Sequence, residues 1–296
     1  MYLYSIKTIK DLLLKYNTHP SKIMGQNFLI DKPTLDKIIK TADMSRKDTI
    51  LEIGPGIGTL TQELSKNAGK VIAIEKDKVM VEILKETLHD FNNIEIVQGN
   101  ILKFSIFNFQ FSNYKVVANI PYYLTSPIIR KFLEAENPHD QKIGAGANKP
   151  DEIILMVQKE VAQRICAKPP RMSILAVSVQ FYAEAKIISY VSKECFWPAP
   201  KVDSAIIKIT PHSFSSLRAT AKQSNNSTVS AETFFKIVKA GFLHPRKQLA
   251  NNLSKTLKKG REEINTWLLK NNIKPTQRAE TLNIQDWINL TNTMNF

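Results

Sequence analysis

The sequence predicts an α/β fold, with a parallel sheet covered on both faces and a small helical domain after it. Three observations predict it. Short apolar runs alternate with helical patterns over the first 160 residues, the signature of strands buried by crossover helices. A glycine-rich turn joins one such run to the helix that follows. A Ser/Thr/Asn-rich stretch then separates this region from amphipathic segments near the C-terminus.

The elements follow in order. M-Y-L-Y-S-I-K-T-I-K-D-L-L-L-K-Y-N opens the chain, with apolar runs too short and interrupted for a signal peptide. T-I-L-E-I-G (49–54) reads as a buried strand and T-L-T-Q-E-L-S-K as the helix after it. K-V-I-A-I-E (70–75) is the next strand, followed by helix K-V-M-V-E-I-L-K-E-T-L. I-E-I-V-Q-G (94–99), K-V-V-A-N (115–119) and D-E-I-I-L-M-V (151–157) are further strands. A-K-I-I-S-Y-V and D-S-A-I-I-K-I-T read as antiparallel partners. The segments 139–150 and 212–230 read as a loop and a linker. A-E-T-F-F-K-I-V-K-A-G-F-L and I-N-T-W-L-L-K have helical spacing, so a helical domain is expected over 231–296, after an N-terminal segment (1–48) and a sheet domain (49–211).

The chain has 296 residues, 43% of them hydrophobic, enough for a real core. Lys and Arg total 41 against 27 Asp and Glu, a formal charge of +14. Such an excess suits a polyanionic partner, because basic side chains displace counterions condensed on phosphates. The two cysteines, Cys166 and Cys195, form no C-x-x-C pair, which points to a reducing cytoplasm. No stretch approaches the roughly 20 apolar residues a membrane span needs. No His, Cys, Asp or Glu spacing suggests a metal site.

L-E-I-G-P-G-I-G-T-L-T (51–61) follows a strand and opens a helix. Gly54, Gly56 and Gly58 allow a tight turn and close approach of a ligand to the backbone. Loop amides and the helix start favour an anionic ligand group. Glu75 ends the next strand, where a carboxylate can accept both hydroxyl protons of a ribose. NAD and S-adenosylmethionine both fit. The missing G-K-[ST] disfavours ATP hydrolysis.

A-N-I-P-Y-Y (118–123) ends the fourth strand, on the edge where open α/β sheets bind ligands. The Asn119 side-chain oxygen and the Ile120 carbonyl supply two acceptors for a purine amino group. Pro121 biases Ile120 toward an extended conformation. Tyr122 offers a face for stacking.

N-I-P-Y resembles the [N/D]-[P/I/L]-P-[Y/F] motif of methyltransferases acting on exocyclic base nitrogens. S-K-I-M-G-Q-N-F-L-I-D, E-I-G-P-G-I-G-T-L-T, N-I-P-Y-Y-L-T-S-P-I, M-V-Q-K-E-V-A-Q-R, F-W-P-A-P-K-V-D-S-A, H-P-R-K-Q-L-A-N-N-L and R-A-E-T-L-N-I-Q-D-W extend the match over nearly the whole chain. Together they are similar to the ribosomal RNA adenine dimethyltransferase family. Within it they look most like the universal small-subunit enzymes that make two adjacent N6,N6-dimethyladenosines near the 3′ end of 16S rRNA.

The resemblance implies a Rossmann-like class I S-adenosylmethionine-dependent methyltransferase sheet, acting as a monomer on 16S rRNA of the small ribosomal subunit. It implies that residues 1–48 close over the donor, with Gln26, Asn27 and Leu29 beside it. Gly54 would line the donor's methionine end and Glu75 would take its ribose; Gly56, Lys76 and Ile101 would also belong to the donor site, and Asn119 would lie beside both donor and target. Asn100 stands where the family usually has Asp; an amide oxygen accepts the same hydrogen bond without charge assistance. Asn119, Ile120, Pro121 and Tyr122 would hold the target base, with Phe196 stacking opposite Tyr122. Lys22, Lys201, Arg246, Lys247, Lys258, Lys259 and Arg261 would dock the RNA backbone. A 23S rRNA dimethyltransferase of the macrolide-resistance type, a ribosome assembly factor with secondary catalysis, and a nicotinamide dehydrogenase are the alternatives. The dehydrogenase leaves N-I-P-Y unexplained.

Overall fold

The computed structural model describes residues 2–104, 113–134, 149–212 and 230–294. Most of the loop read at 139–150 and nearly all of the linker read at 212–230 lie outside the described residues. The chain divides into two compact units. One comprises Met1–Ala162 and Ala185–Pro211, the other Gln163–Glu184 and His212–Phe296.

The first unit opens with α1 (Ile6–Lys15), capped by the Ser5 hydroxyl, which accepts from the Thr8 amide. The short strand β1 (Phe28–Leu29) leads into α2 (Lys32–Ala42), capped by Asp31. Five strands with intervening helices follow: β2 (Thr49–Ile53), α3 (Thr59–Asn67), β3 (Lys70–Glu75), α4 (Lys78–Thr87), β4 (Ile94–Gln98), β5 (Tyr114–Asn119), α5 (Thr125–Leu133) and β6 (Glu152–Gln158). These match the strands expected from the apolar runs to within a residue. Helix α6 (Lys159–Ile165) crosses the unit boundary, and β7 (Ala183–Val191), β8 (Phe196–Trp197) and β9 (Ser204–Pro211) complete the sheets.

Seven strands form one sheet in the order β4-β3-β2-β5-β6-β9-β7. The pairs from β4 to β6 are parallel, and β9 runs antiparallel to β6 with Gln158 opposite Ser204. The two late runs are neighbours in this sheet. Strands β2 and β3 are buried on both faces, which explains their continuous apolar character. One core cluster packs Leu35, Ile38, Leu60 and Leu64 against Ile50, Val71, Val117 and Ile154. A second packs Leu3, Ile9, Leu12 and Leu13 with Phe28, Met80 and Ile83. The Tyr16 hydroxyl adds a 2.6 Å hydrogen bond to Glu86, tying the end of α1 to α4.

The second unit contains α7 (Ile174–Gln180), α8 (Ala231–Gly241), α9 (Leu249–Leu257), α10 (Arg261–Lys270) and α11 (Ile284–Asn292). Its core joins Ala176 and Val177 to Phe234, Ile237, Leu253, Trp267 and Trp287. Phe181 stacks on Phe234 with ring centroids 4.1 Å apart. The compositional shift near residue 231 misses this: α7 buries its apolar face in the helical core, which groups residues 163–184 with the C-terminal helices. Among the described residues no helix is long and apolar enough to cross a membrane.

Candidate active site

The site is assembled where β2, β3 and β5 end together at one edge of the sheet. Beyond β2, Gly54, Gly56 and Gly58 all have positive φ, which L side chains rarely adopt. A Cβ at Gly56 would also lie 3.3 Å from the Phe28 ring. Helix α3 starts behind Gly58 with no side-chain cap and no acid in its first turn, leaving its leading amides for an anionic partner.

Glu75 closes this loop from the neighbouring strand. It is 7% exposed. Its Oε2 accepts from the Gly56 amide at 3.1 Å, and its Oε1 from the Lys76 and Asp77 amides at 2.7 and 2.9 Å. Burial pushes its carboxyl above the usual range, opposed by these three amides. Asp77 caps α4 and accepts from Gln26 Nε2 at 3.0 Å, while Gln26 Oε1 accepts from the Ser21 amide at 2.8 Å. Gln26 is thus a strut between the segment before β1 and the turn after Glu75. Lys76 is exposed and Ile101 buried. Asn100 Oδ1 accepts from the Leu102 amide at 3.0 Å, so part of its acceptor capacity holds its own turn.

The N-I-P-Y turn meets the same elements. Asn119 donates through Nδ2 to the Asn27 carbonyl at 3.3 Å. Its Oδ1 accepts no hydrogen bond among the described residues, so the acceptor end of the amide is available. A Cβ at Gly54 would lie 3.8 Å from Pro121, and one at Gly25, where φ is +64°, would approach Pro121 to 3.2 Å. The glycine loop, the segment 21–27 and the end of β5 therefore converge on Pro121. Tyr122 is half-buried, its hydroxyl 2.7 Å from Ser204 Oγ. Burial raises the Tyr122 pKa, with Asp203 adding and Ser204 opposing. Ile120 is buried and Tyr123 is 57% exposed.

One expected contact differs. Phe196 was expected to present its ring to a base, yet it is 3% exposed. It pairs with Leu29 across the β1–β8 ladder and packs in the core with Leu35 and Val191. The Leu29 side chain is likewise buried in that core. In a two-residue strand, alternation alone does not say which side chain faces inward. Sequence reasoning also passed over Glu52 and Ser204. Glu52 is 1% exposed, and burial pushes its carboxyl up to about 8, with nearby Glu75 adding to the shift. Its Oε2 lacks a well-formed hydrogen bond among the described residues, and the Thr61 hydroxyl is its one polar neighbour that opposes the shift. A lone charge inside T-I-L-E-I-G was the signal for it.

Of the basic residues, Lys22, Lys201, Arg246, Lys247 and Lys258 are exposed and form no ion pair among the described residues. Lys259 is 3.4 Å from Glu263. Arg261 reaches Asn251 and Gln248, which brings it beside the Arg246–Lys247 loop. Among the described residues no group of three or more His, Cys, Asp or Glu could hold a metal.

The family model for ribosomal RNA adenine dimethylase matches residues 18–295. The chain belongs to this family. A ribosomal RNA small subunit methyltransferase A from Clostridioides difficile is 39% identical over 300 residues, covering 99% of this chain and 97% of that protein. One from Dehalococcoides mccartyi is 39% identical over 280 residues, covering 94% and 89%. A solved dimethyladenosine transferase from Plasmodium falciparum is 26% identical with a TM-score of 0.69, covering 89% of this chain and 95% of that one. The 23S rRNA methyltransferase ErmE shares the fold, with a TM-score of 0.68 at 24% identity, covering 91% and 100%. This dimethylase is accordingly an S-adenosylmethionine-dependent enzyme with a class I methyltransferase sheet. Glu75, buried beside the glycine loop with its carboxylate oriented by three backbone amides, fits the ribose of such a donor.

Proposed function

We propose that this dimethylase transfers methyl groups to N6 of two adjacent adenosines near the 3′ end of 16S rRNA, giving N6,N6-dimethyladenosines in the small ribosomal subunit. The relatives' small-subunit names at 39% identity favour this substrate over 23S rRNA. The observation that carries the reading is the Asn119 amide, held through Nδ2 by the Asn27 carbonyl and open at Oδ1.

S-adenosylmethionine, when bound, supplies an electrophilic sulfonium methyl. Glu75 would hold its ribose, Gly54 and Gly56 its methionine end, and Asn100, Ile101 and Lys76 its adenine side. The N6 lone pair of adenine is delocalised into the ring and is a poor nucleophile. Asn119 Oδ1 and the Ile120 carbonyl accept the N6 hydrogens and draw the nitrogen toward tetrahedral geometry. Tyr122 supports the ring. The methyl would leave sulfur with its bonding pair behind on a neutral thioether, and the N6 proton made acidic by methylation would pass to solvent. Catalysis is then orientation and electrostatics, with no side-chain nucleophile. The target leaves its stack to reach the site.

Lys22, Lys201, Arg246, Lys247, Lys258, Lys259 and Arg261 dock the RNA backbone, and the helical unit that joins residues 163–184 to the C-terminal helices acts as its RNA-binding domain. Residues 1–48 close over the donor. The enzyme works as a cytoplasmic monomer and takes part in small-subunit biogenesis. Mapping dimethylated adenines in rRNA from cells with and without the gene tests this reading. Loss of both marks from 16S rRNA is expected; unchanged marks would refute it.

A further inference from the structure

We infer that Ser204 is a positioning residue for methyl transfer, fixing the Tyr122 ring so that the once-methylated adenine is held for its second methyl. This rests on the proposed reaction at the N-I-P-Y turn.

The sheet topology puts Ser204 there. Strand β9 is antiparallel to its parallel neighbour β6, so its first residue lies at the edge where the parallel strands end. Ser204 is opposite Gln158, the last residue of β6, and β6 in turn pairs Met156 with Asn119. The side chain is fully buried amid the apolar run Ala205–Ile207. A buried hydroxyl costs stability unless it is hydrogen-bonded, and its partner is the Tyr122 hydroxyl at 2.7 Å. Packing alone would be served by Ala at this position.

Tyr122 is thereby held at both ends. Its carbonyl accepts from Thr125 Oγ1 at 3.0 Å, and the preceding carbonyl of Pro121 accepts from the Leu124 amide at 2.9 Å. Its phenol meets Ser204. The segment carrying Ser204 is itself pinned. The Asp203 carbonyl accepts from the Lys159 amide at 3.0 Å, and its carboxylate accepts from the Lys193 amide at 3.2 Å. The ring's position is therefore inherited from β6 and β9.

The second transfer depends on this most. Unmethylated N6 has two hydrogens to donate to Asn119 and Ile120. After one methylation a single hydrogen remains, so one anchoring hydrogen bond is gone and the ring support carries more of the alignment.

The test compares Ser204→Ala, Tyr122→Phe and the double variant of the full chain, assayed on small subunits lacking the modification. Donor dissociation constant, melting temperature, single-turnover rate and the ratio of mono- to dimethyladenosine are measured. Each single variant is expected to slow methyl transfer by roughly three- to tenfold, as losing one hydrogen bond does. The monomethyl fraction should rise, donor binding should stay within twofold, and the double variant should be no slower than either single one. A Tyr122→Phe enzyme with wild-type rate and product ratio overturns the inference, even if Ser204→Ala fails to fold. Multiplying effects in the double variant overturn it too. Wild-type protein without methylation would instead refute the proposed reaction itself.

Discussion

Asn119 Nδ2 and the Asn27 carbonyl lie 3.3 Å apart, joining the end of β5 to the segment before β1. The bond fixes which way the Asn119 amide points, because two carbonyl oxygens would repel there. Replacing Asn119 with Ala should cut the methylation rate by about 10²-fold or more, the scale for losing a preorganised polar group. Donor affinity should change no more than a few-fold. Equal rates on purified small subunits would remove Asn119 from the reaction.

Glu75 is the acceptor for three amides in a water-poor setting. In Glu75→Gln one amide must face the new NH2 group, and charge-assisted acceptance from ribose is lost. Calorimetric titration should show donor affinity lower by roughly 10- to 100-fold. Unaltered affinity would place the ribose elsewhere.

Glu52 gives the fold a pH signature. Its folded pKa, about 8, lies above its ordinary value of 4.5, with burial the largest cause. The folded protein therefore keeps a proton that the unfolded chain releases. This group's contribution to stability falls as pH rises from about 4.5 toward 8, then levels off. Glu52→Gln cannot ionise, so its melting temperature should be flatter than wild type across that window. Parallel curves for the two proteins would contradict the assignment.

Gly25 sits at φ +64° with Pro121 only 3.2 Å from where a Cβ would be. Gly25→Ala combines left-handed strain of about 1–2 kcal/mol with a push on Pro121. Slower methyl transfer and a lower melting temperature are expected together. An Ala variant as stable and active as wild type would show that the contact has slack.

Lys258 and Lys259, just after α9, and Arg261, the first residue of α10, form a basic cluster. Replacing all three with Ala should reduce the dependence of log affinity on log salt by roughly 2–3, with one phosphate neutralised by each. Filter binding of 16S rRNA fragments at several salt concentrations measures it. An unchanged slope would move the RNA contact to other residues.

Strands β2 and β3 were legible because burial on both faces favours continuous apolar runs, with Glu52 the exception, and 70–75 reads as β3 with the same ends. The glycine loop and Glu75 were legible because strand–turn–helix context and a carboxylate on the next strand are short-range patterns. Other features depend on tertiary packing. Helix α7 has an apolar face, but nothing local says which core receives it. Phe196 and Trp197 are both aromatic, and only the pairing with Phe28–Leu29 decides that Phe196 goes inward. Tyr122 and Ser204 are distant in sequence and meet only because β9 enters the sheet beside β6.

That entry has a consequence during synthesis. Strand β9 lies between β6 and β7 although it is made after both. While the ribosome has yet to release residues 204–211, the nascent chain leaves one flank of β6 unpaired and β7 without its neighbour. Proteases and chaperones would meet this chain as an open sheet until its last strand slots in, so a product of interrupted translation is expected to be degraded rather than to linger as a partial enzyme.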